Sequence, residues 1–224
     1  MPRIDKAEWD LRAAIVAKAR WMNASGINQG TSGNLSARHG GAMLITPSSV
    51  PYETMTATMI ASMEIANDDG AFEGPLKPST EWRFHRDILR AKPGVGAIVH
   101  THSPHATALS ILRREIPACH YMVAAFGGSN VRVADYARYG TAALSANALN
   151  ALEGRSACLL ANHGMIACGR DLEQAMWAAV ELETLAKQYW LACSLGTPVI
   201  LSDAQVEEVR GSFAGYGLVE GGGA

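Results

Sequence analysis

The sequence lacks a long apolar run, a cluster of basic residues and a closely spaced pair of cysteines. No apolar stretch approaches the roughly 20 residues that a membrane-spanning helix needs, so no membrane span is expected. Lysine and arginine total 19 against 21 acidic residues, which gives a net charge of −2 at pH 7. Because electrostatic binding to nucleic acid depends on clustered lysine and arginine, a nucleic-acid partner is not expected either.

Cysteine is scarce, and its four positions are scattered: Cys119, Cys158, Cys168 and Cys193. No Cys-x-x-Cys pair occurs, and the pattern is typical of reduced thiols in a cytoplasmic protein, although spacing alone leaves disulfides between them open. The N-terminal residues carry charges throughout and lack the apolar segment of a secretory signal peptide. A cytoplasmic location is therefore expected.

The composition predicts one ordered domain. Hydrophobic residues make up 48% of the 224 residues and charged residues 18%, which is typical of a folded chain with a sizeable core. No repeat or linker divides the sequence, so residues 1–224 are interpreted as a single domain. Strand patterns form hairpins, as at residues 34–38 with 42–46, and are interspersed with amphipathic helices. The predicted fold is an α/β domain with a central, mostly antiparallel sheet and helices on both sides.

Two histidines follow a buried strand pattern. His100 and His102 are two residues apart, and side chains at i and i+2 of a strand point to the same face. Alone, the pair is weak evidence, because two histidines can simply occupy a hydrated strand end. However, His163 follows another apolar run, and Glu81 lies in the first turn of a predicted helix. Three histidines with a carboxylate suit a catalytic zinc-type site, and manganese, cobalt or iron also suits such ligands.

Three short segments are rich in small or hydroxyl-bearing residues: residues 30–36, 46–49 and 78–81. Such segments can bind a phosphate through backbone N–H groups, and the N-terminus of a helix attracts anions. Ser79 or Thr80 is expected to cap the helix that begins there. The alternative interpretation is that these are ordinary turns, with an acidic residue that compensates the helix dipole. The accompanying histidines favour the functional interpretation.

Taken together, these motifs resemble the class II aldolase and adducin family, and within it the branch that acts on L-fuculose 1-phosphate. The likeness extends from about residue 8 to about residue 218. It is carried by residues 30–34, 45–47, 78–85, 99–111, 116–117, 120–122 and 163–168. In combination these stretches are specific for the family and less specific for one substrate.

The resemblance implies one divalent metal ion per subunit, with zinc as the first choice. Its ligands would be His100, His102 and His163. Glu81 would be a fourth ligand at rest and the acid/base once substrate displaces it. Tyr121 matches the proton-donating tyrosine of the family, which reaches the site of a neighbouring subunit. Tyr216 matches a tyrosine that closes over the substrate, and the family is typically a fourfold-symmetric homotetramer with sites between subunits.

The resemblance also implies a phosphate site made by six residues: Ser32, Asn34, Ser48, Ser49, Ser79 and Thr80. Three positions depart from the pattern of the L-fuculose 1-phosphate branch. Ser49 replaces a glycine, Thr80 replaces a serine, and Asn162 stands where a histidine is usual. None of these differences removes a catalytic group. The sequence of the C-terminal segment differs more, which leaves the aldehyde part of the substrate open.

The implied activity is that of a lyase of carbohydrate metabolism, a metal-dependent aldolase. It would reversibly cleave a ketose 1-phosphate to dihydroxyacetone phosphate and a small aldehyde. L-Fuculose 1-phosphate, 5-deoxyribulose 1-phosphate and 5-methylthioribulose 1-phosphate are equally reasonable substrates. The alternatives are a ribulose-phosphate 4-epimerase or a methylthioribulose-1-phosphate dehydratase on the same scaffold, and a non-enzymatic adducin-like interaction module. Residues 78–82 and 120–122 favour the aldolase, and the complete ligand set argues against the module.

Overall fold

The computed structural model describes residues 4–213, which form one large sheet covered by helices. The strands are β1 (Asn34–His39), β2 (Ala42–Ile45), β3 (Ala61–Glu64), β4 (Ala97–Thr101), β5 (Ile116–Pro117), β6 (Asn130–Val131), β7 (Val133–Ala134), β8 (Ala157–Leu160) and β9 (Gly164–Gly169). The helices are α1 (Lys6–Ala24), α2 (Trp82–Ala91), α3 (Pro104–Ile111), α4 (Ala142–Ala151), α5 (Leu172–Leu195) and α6 (Asp203–Phe213). Two short 3₁₀ helices span Ala57–Met59 and Tyr121–Phe126.

The main sheet has seven strands in the order β3-β2-β1-β4-β9-β8-β7, so β4 lies at its centre. Neighbouring strands are antiparallel except for the pair β7 and β8, which is parallel. β5 and β6 form a separate two-stranded sheet. The predicted mostly antiparallel sheet is confirmed, and so is the hairpin of β1 and β2.

Helices cover both faces of the sheet, as the sequence predicts. Buried residues of α1, α3 and α5 form one core layer, and those of α2 and α4 form the other. Along β4, Ala97 and Val99 belong to the first layer, whereas Ile98 belongs to the second. Because side chains alternate along a strand, His100 lies on the same face as Ile98, the face that α2 covers. No helix within residues 4–213 has the length and apolarity needed to cross a membrane.

The start of α2 differs from the prediction. Neither Ser79 nor Thr80 caps this helix; Glu81 occupies the position before its first residue and makes no capping bond with its side chain. Instead, Ser79 Oγ accepts a hydrogen bond from the backbone N–H of Glu81 at 3.3 Å. The carboxylate of Glu81 is directed towards Asn34 and His100, so it is not available to the helix end.

The beginning of β4 packs very closely on the end of β9. The backbone N–H of Gly96 donates to the carbonyl of Gly169 at 2.8 Å. A Cβ atom at Gly96 would overlap the carbonyl oxygen of Arg170, whereas a Cβ atom at Gly94 would meet nothing within 4 Å. Only glycine therefore lets the two strands approach at this point.

We expect Gly96→Ala to lower the free energy of unfolding by about 1–3 kcal/mol, because backbone atoms must shift to accommodate the methyl group. Gly94→Ala is the matched control and should leave stability nearly unchanged, because its methyl group points into open space. Urea denaturation of the metal-free chains measures both effects. Equal midpoints for the two variants would contradict the close packing at Gly96.

Candidate metal centre

Three imidazoles converge at one end of the sheet. His100 ends the apolar part of β4, His102 follows the strand, and His163 lies in the turn between β8 and β9. Their candidate ligand atoms all lie within 4.8 Å of one another, and His100 Nε2 is 3.2 Å from His102 Nε2. The structure thus brings together the three histidines that the sequence singles out.

A backbone contact fixes the orientation of the most buried ring. His100 Nδ1 lies 2.8 Å from the carbonyl oxygen of Met165 on β9. A carbonyl oxygen can only accept, so Nδ1 carries a proton, and Nε2 is the nitrogen that faces the cluster and could bind a metal ion. Metal-binding histidines commonly use their second nitrogen in this way, because the bond sets both tautomer and ring angle.

Glu81 completes the set as the fourth group. Its Oε2 atom lies 3.2 Å from His100 Nε2, and its Oε1 atom lies 3.2 Å from His163 Nε2. Oε1 is buried and has no hydrogen-bond partner among the residues that the structure describes. Burying an unpaired carboxylate oxygen is costly. A cation held by the three imidazoles would satisfy this oxygen, so the donor set fits a divalent metal ion.

The protonation states of Glu81 and His102 also suit a metal. Burial acts to raise the pKa of Glu81, but positive charge on His100 and His163 outweighs burial and holds that pKa well below its usual range. Burial and the charge of His100 lower the pKa of His102 to about 4. Glu81 is therefore ionised and His102 neutral at pH 7, as metal ligands must be.

The hydroxyl-rich turns at residues 46–49 and 77–80 lie side by side. The backbone N–H of Ser79 donates to the Thr46 carbonyl at 2.9 Å, and that of Ser48 donates to the Lys77 carbonyl at 3.0 Å. This pairing places Ser48, Ser49, Ser79 and Thr80 on two adjoining turns at the start of α2. Four of the six predicted phosphate ligands are thus brought together.

The glycine-rich segment at residues 30–33 packs against the end of β4. A Cβ atom at Gly33 would lie 2.7 Å from the backbone oxygen of His100, so glycine is needed for this approach. The buried Tyr52 hydroxyl donates to the Gly33 carbonyl and holds the segment in place. Ser32, next in the segment, lines the cavity over the metal centre and donates to the Gln29 carbonyl at 2.8 Å.

Asn34 occupies a different environment from that expected for a phosphate ligand alone. Only 4% of the residue is exposed, and its Nδ2 donates to Glu81 Oε2 at 2.9 Å. Its Oδ1 lies 2.5 Å from Nε2 of His85, which the sequence did not assign to the site. The sequence offered one signal for this contact, since His85 lies one helical turn after Glu81.

The metal centre opens into a cavity of about 310 Å³. Besides Ser32 and Thr80, its lining includes Glu81, His102 and His163. Tyr136 and Tyr139 also line it, and both are more than half exposed. The sequence analysis missed these two tyrosines. Their segment reaches the site because Gly140, at a φ of 73°, lies so close to Thr80 that a Cβ atom would meet its carbonyl oxygen at 2.7 Å.

Of the two tyrosines that the resemblance implies, the structure describes only Tyr121. Tyr121 begins the second 3₁₀ helix, is 46% exposed, and stacks on His120 with ring centroids 4.6 Å apart. It is not among the residues that line the cavity within residues 4–213 of a single chain. A role in the site of a neighbouring subunit stays a prediction. Tyr216 lies outside the described residues.

Comparisons with known proteins point in one direction. The model of the class II aldolase and adducin N-terminal domain family matches residues 13–190. The 5-methylthioribulose-1-phosphate/5-deoxyribulose-1-phosphate aldolase of Rhodospirillum rubrum is 49% identical over 92% of either chain. The L-fuculose phosphate aldolase of Escherichia coli K12 is 45% identical over 88% of this chain and 91% of its own. A solved L-fuculose 1-phosphate aldolase superposes with a TM-score of 0.88, at 38% identity over 92% and 96% of the chains.

We expect His102→Ala to weaken metal binding by more than the ~10–100-fold that loss of an outer hydrogen-bond partner costs, because a direct ligand is lost. The matched control is His39→Ala, since His39 lies at the opposite end of β1 beside Asp5. Elemental analysis after dialysis against a weak chelator gives the metal content. Full retention of metal by the His102 variant would contradict its assignment as a ligand.

Proposed function

Because the chain belongs to the class II aldolase and adducin family, we propose that it is a metal-dependent aldolase acting on a ketose 1-phosphate. It is a lyase that reversibly yields dihydroxyacetone phosphate and a small aldehyde. Two relatives are named for 5-methylthioribulose 1-phosphate with 5-deoxyribulose 1-phosphate and for L-fuculose phosphate. These three ketose phosphates are the candidate substrates of this chain.

One observation carries this function: the ionised carboxylate of Glu81 lies 3.2 Å from the nitrogens of His100 and His163. A divalent ion bound there would supply Lewis-acid stabilisation of the oxygen charge that develops as the carbon–carbon bond breaks. Glu81 would remove a proton from the neighbouring carbon of the substrate, or donate one to it. Acid–base catalysis of this kind contributes typically ~10²–10⁴-fold to the rate. The retained carboxylate argues against the epimerase and dehydratase alternatives. The complete ligand set argues against the adducin-like module.

The phosphate of the substrate would bind at the two adjoining hydroxyl turns. Ser48, Ser49, Ser79 and Thr80 offer hydroxyls there, and Ser32 faces the same cavity as Thr80. Asn34 uses one N–H for Glu81, which leaves its second N–H for the phosphate. Holding the phosphate away from the reacting bond orients that bond towards Glu81 and accelerates the reaction by positioning.

Zinc is the proposed ion, at one per subunit, because three imidazoles and one displaceable carboxylate match a catalytic zinc site. Manganese, cobalt and iron accept the same ligands. The four free thiols support a cytoplasmic location, where thiols stay reduced.

The proposed assembly is a homotetramer with sites between subunits. Four tryptophans are each almost half exposed: Trp9, Trp21, Trp177 and Trp190. These large exposed apolar side chains lie on α1 and α5 and support an interface between protein chains. In such an assembly the exposed Tyr121 of one subunit would donate a proton to the aldehyde oxygen in the site of its neighbour when the carbon–carbon bond forms, and would take that proton back when the bond is cleaved.

The activity is tested by release of dihydroxyacetone phosphate from each of the three candidate substrates, with metal-reconstituted protein and with chelator. We expect release that the chelator abolishes, and the ranking of rates identifies the aldehyde. No release by protein with demonstrably bound metal would contradict the aldolase. Product analysis by NMR would then separate an inverted centre, made by an epimerase, from a dehydrated diketone.

The shared site is tested by mixing two inactive variants. Tyr121→Phe and Glu81→Gln should each lower kcat by about 10²–10⁴-fold, because each removes one proton-transfer group. If the two residues meet between subunits, hybrids made by co-expression should regain activity in about one quarter of their sites.

Unmixed variants are the control, and light scattering should report tetramers throughout. Hybrids that stay inactive would contradict a site that two subunits share. A fully active monomer would contradict the proposed assembly.

A further inference from the structure

Buried polar side chains continue from Glu81 into the interior. Ser36 and Asn34 are two residues apart on β1, and His85 lies one turn after Glu81 on α2. The two spacings direct all four side chains to the contact between the strand and the helix. Ser36 and His85 have no exposed surface, and Asn34 is only 4% exposed. Polar groups at such positions are costly unless every one of them is hydrogen-bonded.

In this group of four residues, each side chain donates a hydrogen bond to the next, from Ser36 through His85 and Asn34 to Glu81. Asn34 Nδ2 donates to Glu81 Oε2 at 2.9 Å, which turns Asn34 Oδ1 towards His85 Nε2, 2.5 Å away. An amide oxygen only accepts, so His85 Nε2 must carry the proton. Burial, together with the charge of His100, lowers the pKa of His85 to about 3, and the ring is neutral. Its Nδ1 therefore accepts from the Ser36 hydroxyl, at 2.7 Å.

We propose that His85 is a positioning residue for the reaction: its Nε2–H holds the Asn34 amide with the N–H side towards Glu81, and so orients the Glu81 carboxylate. The inference rests on the proposed function and deepens it. It concerns how Glu81 is held, and His85 itself transfers no proton to substrate.

The Asn34 amide needs such a restraint because the two ends of an asparagine amide are nearly alike in shape. Oxygen and nitrogen have similar shape, so an amide without a partner on its far side can rotate by half a turn. The rotated amide would place a carbonyl oxygen against the carboxylate of Glu81 and repel it. His85 excludes this rotamer because two N–H groups would then face each other. When His85 donates from Nε2, the Ser36 hydroxyl supplies the donor that its buried Nδ1 needs.

This restraint matters most when Glu81 is not bound to the metal. A carboxylate displaced by substrate loses the partner that fixed it and can rotate about its side-chain bonds. The hydrogen bond from Asn34 would then be its remaining fixed contact among the described residues of the site. Loss of an outer partner of this kind typically costs about 10–100-fold in activity or metal affinity.

The test compares His85→Leu, which removes the donor, with His85→Gln, whose side-chain N–H can replace Nε2–H. Ser36→Ala removes the far end of the group. The first readout is exchange of the carbon-bound proton of dihydroxyacetone phosphate in deuterated water, followed by NMR. Exchange requires removal of the proton by Glu81 but no cleavage of a carbon–carbon bond. The second readout needs no substrate: the visible absorption of the full chain loaded with cobalt(II) alone, which responds to the ligands around the ion.

We expect His85→Leu to slow exchange by about 10–100-fold while the KM for the ketose phosphate changes little. His85→Gln should recover most of the rate, and Ser36→Ala should show a smaller decrease. The cobalt spectrum of His85→Leu should shift towards that of Glu81→Gln. Thermal unfolding of the metal-loaded variants reports whether each is folded. If His85→Leu does not fold, slow exchange in Ser36→Ala and near-normal exchange in His85→Gln still support the inference.

Three results would overturn the inference. Folded His85→Leu, or in its absence Ser36→Ala, could exchange at the wild-type rate. His85→Gln could lose as much as His85→Leu, which would mean that the N–H donor is irrelevant. The cobalt spectrum of the donor-lacking variant could equal that of the wild type. Failure of the proposed function looks different, because the wild type with bound metal would then not exchange the proton, and the cobalt comparison alone would decide the inference.

Discussion

The candidate site depends on the register of three neighbouring strands. Asn34 of β1 is paired with His100 of β4, and His100 is paired with Ile166 of β9, next to the carbonyl of Met165 that holds its ring. A slip of one residue would turn Asn34 and His100 to the opposite face of the sheet. That face is occupied by the apolar layer to which Leu35 and Val99 belong, so the hydrophobic core itself enforces the register.

Around this register, each charge in the site is balanced by a neighbour. Glu81 is a buried anion, and its two oxygens face His100, His163 and the amide of Asn34. A buried carboxylate is stable only when charge and hydrogen bonds compensate for its lost hydration. The ring of His100 is fixed from the other side, by a carbonyl oxygen. The protein thus holds these candidate ligands in place through contacts between protein atoms.

The sequence predicted those parts of the site that follow from local periodicity. Alternation along β4 was enough to pair His100 with His102, and apolar runs with hairpin turns were enough for the antiparallel sheet. Contacts between segments that are far apart in the sequence could not be predicted from local patterns. Asn34 meets Glu81 across 47 positions, through the packing of β1 on α2, which no local pattern encodes. Tyr139 looked like any exposed loop residue until the fold placed its segment against Thr80.

The order of the strands along the chain also determines when the candidate site can form during synthesis. His100 and the carbonyl that orients it are 65 positions apart, and they meet only when the last strand of the sheet docks beside β4. A nascent chain on the ribosome that ends before β9 lacks the Met165 carbonyl and leaves the imidazole of His100 unrestrained. Such long-range pairing is a late and slow step of folding. The three histidines and Glu81 would therefore be ready to bind a metal ion only after β9 has been made and has docked beside β4.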